Sequence, residues 1–185
     1  MKLRIEGYAI VSDDGMLADA AGIMPSSLVV PADQQFLSQG LDRADIIVHG
    51  RHSHENQPQS PTRRRLIASR TVETLGPAPD FPNAVRWNPA GLPLEQAMEA
   101  VDLEGGIVAV LGGTDIFGLF LPRYDAFYLS RAEGVKLPGG RPVFPQVPER
   151  SPEDVLSASG LVPGPPQVLD RDRGATLVVW ERTRN

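Results

Sequence analysis

Apolar positions along the chain fall into short runs broken by glycine, proline and polar clusters, and the runs follow two different periods. Gly7–Val11 reads as an opening core strand, ended by the turn Ser12–Gly15. Asp45–His49 is a second strand, stopped by Gly50; Arg65–Ser69 is a third and Ala84–Trp87 a short fourth. Ile107–Leu111 is five apolar residues between glycines, the pattern of a strand buried on both faces and therefore parallel. Phe127–Ser130 follows as the next strand. Two segments carry helical spacing instead. Pro31–Asp33 opens one, with proline in its first turn and a stripe of Phe36, Leu37 and Leu41. Pro93–Val101 makes the other, with Leu94, Ala97, Met98 and Val101 on one side.

Met16–Val30 shows neither period, which predicts a long loop through Met24 and Pro25. His52–Thr62 is loop or a short helix, and Leu75–Pro82 is loop. Beyond the second glycine pair the chain turns β-rich and proline-rich. Val143–Pro145 closes a loop against the core, and Gln167–Leu169 and Thr176–Trp180 are strands joined by a hairpin turn at Arg171–Gly174. Strands alternating with helices and finished by a hairpin predict an α/β fold with a mainly parallel sheet and an antiparallel edge. No linker or repeat interrupts it, so residues 1–185 are read as one domain.

Composition narrows the function. A net charge of −5 argues against nucleic acid as the main partner, because phosphate backbones need a basic surface. The absence of cysteine removes disulfides, thiolate metal ligands and thiol nucleophiles. The first residues lack the apolar core of a signal peptide and no apolar run nears membrane-spanning length, so a cytoplasmic protein with no membrane partner is expected.

Chemistry concentrates in three places. Gly112 and Gly113 follow the buried strand and precede a helix, which lets backbone approach a ligand closely; Thr114 is placed to cap that helix, whose first amides form an anion site. The same unit is also compatible with a tight turn that binds nothing. All three histidines fall in His49–His54 beside Glu55. A metal site there lacks an obvious completing ligand, so no metal is expected; Arg51, His52 and Ser53 read better as donors to phosphate after Gly50. Arg70, at a neighbouring strand end, would join Arg51 around a phosphate, or be a plain exposed arginine. Asp33 is the catalytic candidate, with helix capping as its structural alternative. Arg63 lies in the run Arg63–Arg65, which reads either as a binding group or as a solvated patch. Asp13 and Asp14 fit a turn, and Ser12, Ser53 and Ser69 lack the partners of a hydrolase triad.

Taken in order, these pieces resemble the dihydrofolate reductase-like fold family, which includes the reductase domains of riboflavin biosynthesis. The resemblance rests on Tyr8–Val11 with Asp14 and Gly15, Met24 and Pro25, Pro31–Asp33, Val48–Ser53, Leu66–Arg70, Leu111–Phe117, and Phe144 with Pro145. It implies a three-layer fold: a mainly parallel central sheet with an antiparallel C-terminal hairpin, flanked by helices. It implies NADPH as cofactor, met by Ala9, Ile10, Leu17, Gly50, Arg51, His52, Ser53, Ser69, Arg70, Leu111, Gly112, Gly113, Thr114, Asp115 and Ile116. Tyr8, Asp33, Leu37, Arg63, Phe117 and Ser130 would then meet a small-molecule substrate, with Asp33 holding a pterin-like ring and Arg63 a glutamate tail. A cis peptide between Gly112 and Gly113 is implied as well, and a homodimer is allowed.

Departures from the family pattern gather on the substrate side. Ser26 stands where tryptophan is usual, two residues are added before Pro31, Leu37 replaces a frequent phenylalanine, and the Gly139–Pro142 loop lacks the Gly-Asp-Thr of the family. The expectation is an NADPH-dependent reductase acting on a pterin or an aminopyrimidine. The rivals are a riboflavin-type ribosylaminopyrimidine reductase and a ligand-binding module that kept the fold without turnover.

Overall fold

The computed structural model describes residues 2–183, and in it the period-2 runs become strands whose successive residues face opposite layers. The chain opens with β1 (Lys2–Val11) and β2 (Met16–Ala18), then α1 (Pro31–Arg43), β3 (Ile46–Gly50), β4 (Arg65–Ala68), β5 (Leu75–Pro77) and β6 (Ala84–Trp87). It continues with α2 (Leu94–Ala100), β7 (Gly105–Val110), α3 (Thr114–Leu119), β8 (Ala126–Ala132) and β9 (Arg141–Pro142). It closes with α4 (Pro152–Ala158), β10 (Leu161–Pro163), β11 (Gln167–Asp170) and β12 (Ala175–Arg182).

Among the described residues the main sheet has ten strands, ordered β10-β12-β8-β1-β7-β3-β4-β6-β5, with β11 also on β12. The strands from β8 to β6 run parallel, while β12 and β5 are antiparallel to their neighbours. Helices cover both faces, as a mostly parallel sheet requires. On one side Leu94, Met98, Phe117, Val155 and Leu156 from α2, α3 and α4 pack on Ile5, Val48, Leu66 and Val110. On the other, Phe36, Leu37 and Leu41 of α1 pack on Tyr8, Ile47 and Ala109. Gly40 makes that contact possible, since a Cβ there would stand 2.6 Å from the Tyr8 ring and hydroxyl. Among the described residues no helix is long and apolar enough to cross a membrane.

Several expectations need correction. Met16–Val30 is not one loop: β2 pairs antiparallel with β9 (Met16 with Pro142, Ala18 with Arg141), and Ser26–Leu28 is a 3-10 turn that buries Leu28 fully. These elements are too short for a period to show. Leu75–Pro77 is an edge strand on β6 rather than loop. Helix α4 stands in a stretch read only as β-rich and proline-rich, although its start carries a legible signature. Ser151 Oγ accepts from Asp154 N at 3.1 Å, proline fills the first turn, and Glu153 and Asp154 favour the helix dipole. Thr114 does not cap α3. Gly113 is the cap residue, and the Thr114 hydroxyl donates to Pro142 O at 2.5 Å, tying α3 to β9.

Candidate active site

Strands β1, β3, β4, β7 and β8 end their parallel run at one edge of the sheet, and their last residues together with α1 and the β2–β9 ribbon enclose a cleft of about 2020 Å³. Ligands settle at such strand ends because the diverging loops leave a crevice there. Nearly every candidate residue reaches its wall: Ala9, Ile10, Leu17, Gly50, Arg51, His52, Ser53, Ser69, Arg70, Leu111, Gly113, Thr114, Asp115 and Ile116 on one stretch, Tyr8, Asp33, Leu37, Phe117 and Ser130 on another. Gly112 stands just behind the wall, its carbonyl accepting from Gly50 N at 2.6 Å. Phe117 is 1% exposed and packs edge-on against Phe127 and Phe144, so its place is the core.

At the first end, backbone comes unusually close. The Gly112–Gly113 peptide is cis, as the resemblance implied, and Gly112 sits at φ 93° with the Phe117 ring 2.5 Å from where its Cβ would be. A Cβ on Gly50 would face Gly113 N at 3.5 Å, and one on Gly113 would face Ser53 Oγ at 3.2 Å. Around this cradle stand exposed cations and hydroxyls. Arg51 Nε donates to His52 Nε2 at 3.2 Å, and Ser69 Oγ and Thr71 Oγ1 are 2.7 Å apart. The side chains of Arg70 and Arg141 face the cleft with no side-chain hydrogen bond or ion pair among the described residues.

The second end is aromatic and buried. Tyr8 lies opposite Tyr128 in the β1–β8 register, and their rings stack at 4.7 Å; Phe36 of α1 closes against both at 6.2 and 5.4 Å. The Tyr8 hydroxyl donates to Glu6 Oε2 at 2.7 Å, and Arg4 Nε donates to Glu6 Oε1 at 2.7 Å, so a buried carboxylate holds the ring in place. Tyr8 titrates far above a free tyrosine because burial, then the Glu6 bond, disfavours its anion. Asp33, in the third turn position of α1, is 6% exposed and makes no capping bond. Burial raises its pKa above the ordinary carboxylate value, and a hydrogen bond from Ser130 partly offsets that. Asp33 thus caps nothing, although as the acid in the first turn of α1 it still favours the helix dipole.

Both alternatives read for Arg63 fail. Arg63 is off the cleft wall and occupied: Nη1 donates to Gln57 Oε1 at 2.7 Å, Nη2 to Asp42 Oδ1 at 2.6 Å and Ser38 Oγ at 3.3 Å, and Glu55 lies 3.3 Å away. Glu55 also pairs with Arg65, which pulls its pKa down against the effect of burial. Arg63–Arg65 is thus neither a binding group nor a solvated run, since only Arg64 is exposed. His49 is fully buried under the loop, its Nδ1 2.7 Å from Gly50 O, and burial pushes its pKa down to about 4. Among the described residues no group of three or more histidine, aspartate or glutamate side chains is placed to hold a metal ion. Sequence reasoning missed Tyr128, His54, Asn88 and Arg141 on the wall. The signal for Tyr128 is its register with Tyr8, and that for Arg141 its pairing with Ala18, neither visible in one dimension.

No family model and no curated protein matches the chain. Solved structures do. A riboflavin biosynthesis protein from Shewanella sp. PV-4 superposes with TM-score 0.67 at 20% identity, covering 98% of this chain and 100% of that one. Dihydrofolate reductase from Enterococcus faecalis, complexed with NADP(H) and RAB-propyl, gives 0.66 at 15% identity over 98% and 97%. A diaminohydroxyphosphoribosylaminopyrimidine deaminase/5-amino-6-(5-phosphoribosylamino)uracil reductase from Thermotoga maritima gives 0.68 at 12% identity; this chain spans 57% of its length. The fold is therefore dihydrofolate reductase-like: a mostly parallel sheet with antiparallel edges between two helical layers.

Proposed function

We propose that this protein is an NADPH-dependent reductase that delivers a hydride to a C=N or C=O carbon of a small pterin or aminopyrimidine. The observation that carries the reading is one continuous cleft joining a cation-rich, glycine-tight end to the desolvated carboxylate of Asp33. The residues present suit a dinucleotide phosphate: Arg51 and Arg70 offer guanidinium donors, Ser53, Ser69 and Thr71 offer hydroxyls, and the glycines let a diphosphate approach the main chain. When bound, the nicotinamide supplies the hydride. The chain's own part is to position the two partners, exclude water and manage the proton. Asp33 accepts two hydrogen bonds from a ring N–H and an exocyclic amine. Burial raises its proton affinity, so the carboxylate favours a proton-bearing ring nitrogen against it, and the Ser130 hydroxyl steadies its ionised form.

Two of the three structures named above carry riboflavin-pathway descriptions, and Ser26 stands in place of the usual tryptophan; both support a ribosylaminopyrimidine over dihydrofolate. The test is NADPH oxidation across dihydrofolate, dihydropterins and ribosylaminopyrimidines. Consumption with one ring class is expected. NADPH binding without consumption against any of them would replace the reductase by a binding module, and no NADPH binding would end the reading.

A further inference from the structure

We propose that Arg141 is a cofactor-binding residue: carried on the β2–β9 ribbon, its guanidinium holds the diphosphate of the dinucleotide from the side opposite Arg51 and Arg70. This rests on the reductase reading and adds a residue to its cofactor site. Arg141 is exposed on the cleft wall, and its side chain has no hydrogen bond or ion pair among the described residues. Most other arginines are engaged, Arg4 by Glu6, Arg63 by Asp42 and Arg86 by Asp80, or, like Arg150 and Arg182, by backbone carbonyls. The acids beside Arg141 leave it uncompensated. Asp19, just past β2, is turned onto the backbone amides of Ala21 and Ile23, both at 2.9 Å, and Asp115 on the same wall forms no ion pair. The backbone of Arg141, by contrast, is pinned. It pairs with Ala18, and a Cβ on the preceding Gly140 would stand 2.4 Å from Ala18 O. On its other side Pro142 O accepts from the Thr114 hydroxyl at 2.5 Å, Val143 N donates to Gly15 O at 3.0 Å, and Val143 and Phe144 are fully buried. A cation fixed at its base and unpaired at its tip loses less freedom when it takes an anion from the cleft.

The order of the strands identifies that anion. In the order β1-β7-β3-β4, the Gly112–Gly113 cradle after β7 lies between the ribbon that continues β1 and the arginines that follow β3 and β4. The Thr114 bond to Pro142 sets Arg141 beside that cradle. A group lying over the glycines is thus flanked by guanidinium from both sides. The part of a dinucleotide that glycines admit to the main chain is its diphosphate, whose oxygens suit the fork of a guanidinium. Those oxygens are common to NADPH and NADH, so Arg141 serves affinity for both and not the choice between them.

Calorimetry of the full chain with NADPH and with NADH tests this without turnover. Arg141→Gln should weaken both cofactors by about tenfold, the scale of one hydrogen bond to a charged group, and leave their ratio unchanged. Arg141→Lys keeps the charge without the fork and should lose less. Because the side chain makes no bond within the protein, both variants should melt as the unmodified protein does. Unchanged affinity for both cofactors in Arg141→Gln overturns the proposal. A loss confined to NADPH overturns it as well, by moving Arg141 to the 2′-phosphate. So does unchanged cofactor binding with a weakened phosphoribosylaminopyrimidine, which would give the guanidinium to the substrate's phosphate. Each of these leaves the reductase reading standing. Absence of cofactor binding to the unmodified protein ends that reading and this inference with it.

Discussion

The two ends of the cleft solve opposite physical problems. One end is exposed, cationic and built from backbone: Arg51, His52 and Arg70 stay solvated, and Gly50, Gly112 and Gly113 keep side chains out of the way. The other is buried, aromatic and built from side chains: Tyr8, Phe36 and Tyr128 pack on one another and share the wall with Asp33, which is 6% exposed. Charge left in water is cheap and holds a charged partner at modest strength, whereas charge taken out of water is costly and changes its proton affinity. On the proposed function, the fold separates anchoring from proton management along one sheet edge. The difference also predicts where substitutions change affinity and where they change rate.

The contrast breaks most visibly at Asp33. Asp33→Asn is nearly isosteric and should leave NADPH affinity unchanged while lowering turnover on the order of 10²–10⁴, the scale of general acid–base assistance. The same variant should be more stable at neutral pH. A carboxyl with a raised folded pKa binds more protons folded than unfolded, so its contribution is lost as pH rises from the ordinary carboxylate value through the raised one. Equal pH–stability curves for the two proteins, or unchanged turnover, would take Asp33 out of the mechanism.

His49 sits beneath the loop that joins the ends, and its sign is the reverse. With a folded pKa near 4 against 6.5, the unfolded chain binds the proton first, so stability falls as pH drops through that window. The loss amounts to about 3 kcal/mol at its limit, and chemical denaturation of His49→Leu should show a flatter acid limb. At the cofactor end, Gly112→Ala places a methyl 2.5 Å from Phe117 at a positive φ, and should cost about 1–3 kcal/mol of stability together with NADPH affinity. A variant with native melting temperature and native binding would show that the close approach is dispensable. The smallest effect belongs to the exposed cations. Arg51→Ala or Arg70→Ala should weaken NADPH by about tenfold each and NADH far less, with turnover at saturating cofactor preserved. Equal losses for the two cofactors would remove the 2′-phosphate assignment.

The cationic, glycine-tight end was the more legible of the two because its chemistry is local. Gly50–Ser53, Ser69–Arg70 and Leu111–Ile116 are contiguous stretches at strand ends, and the family resemblance implied that they share one wall. The substrate end was legible only where one element carried the information, as with Asp33, Phe36 and Leu37 on α1. Arg63 misled for the same reason: its type and position suit anion binding, but its partners Asp42 and Gln57 lie 21 and 6 residues away and come from a helix and a loop. Helix α4 shows in the sequence only through its start at Ser151–Asp154, because seven residues are too few for a helical period to stand out among the surrounding prolines.

By itself the sequence determined the alternation of buried strands with amphipathic helices, the turns at Gly15 and Gly50, the start of α1 and the glycine pair after β7. Each depends on periods or conformational preferences that act within a few residues. The tertiary structure alone decided the pairing of β2 with β9 and the stacking of Tyr8 on Tyr128. It also decided the burial that raises the pKa of Asp33 and the ion pairs that withdraw Arg63. Those features depend on strand register and on the loss of water between elements distant in the chain, and no local pattern encodes how much water a folded neighbour excludes.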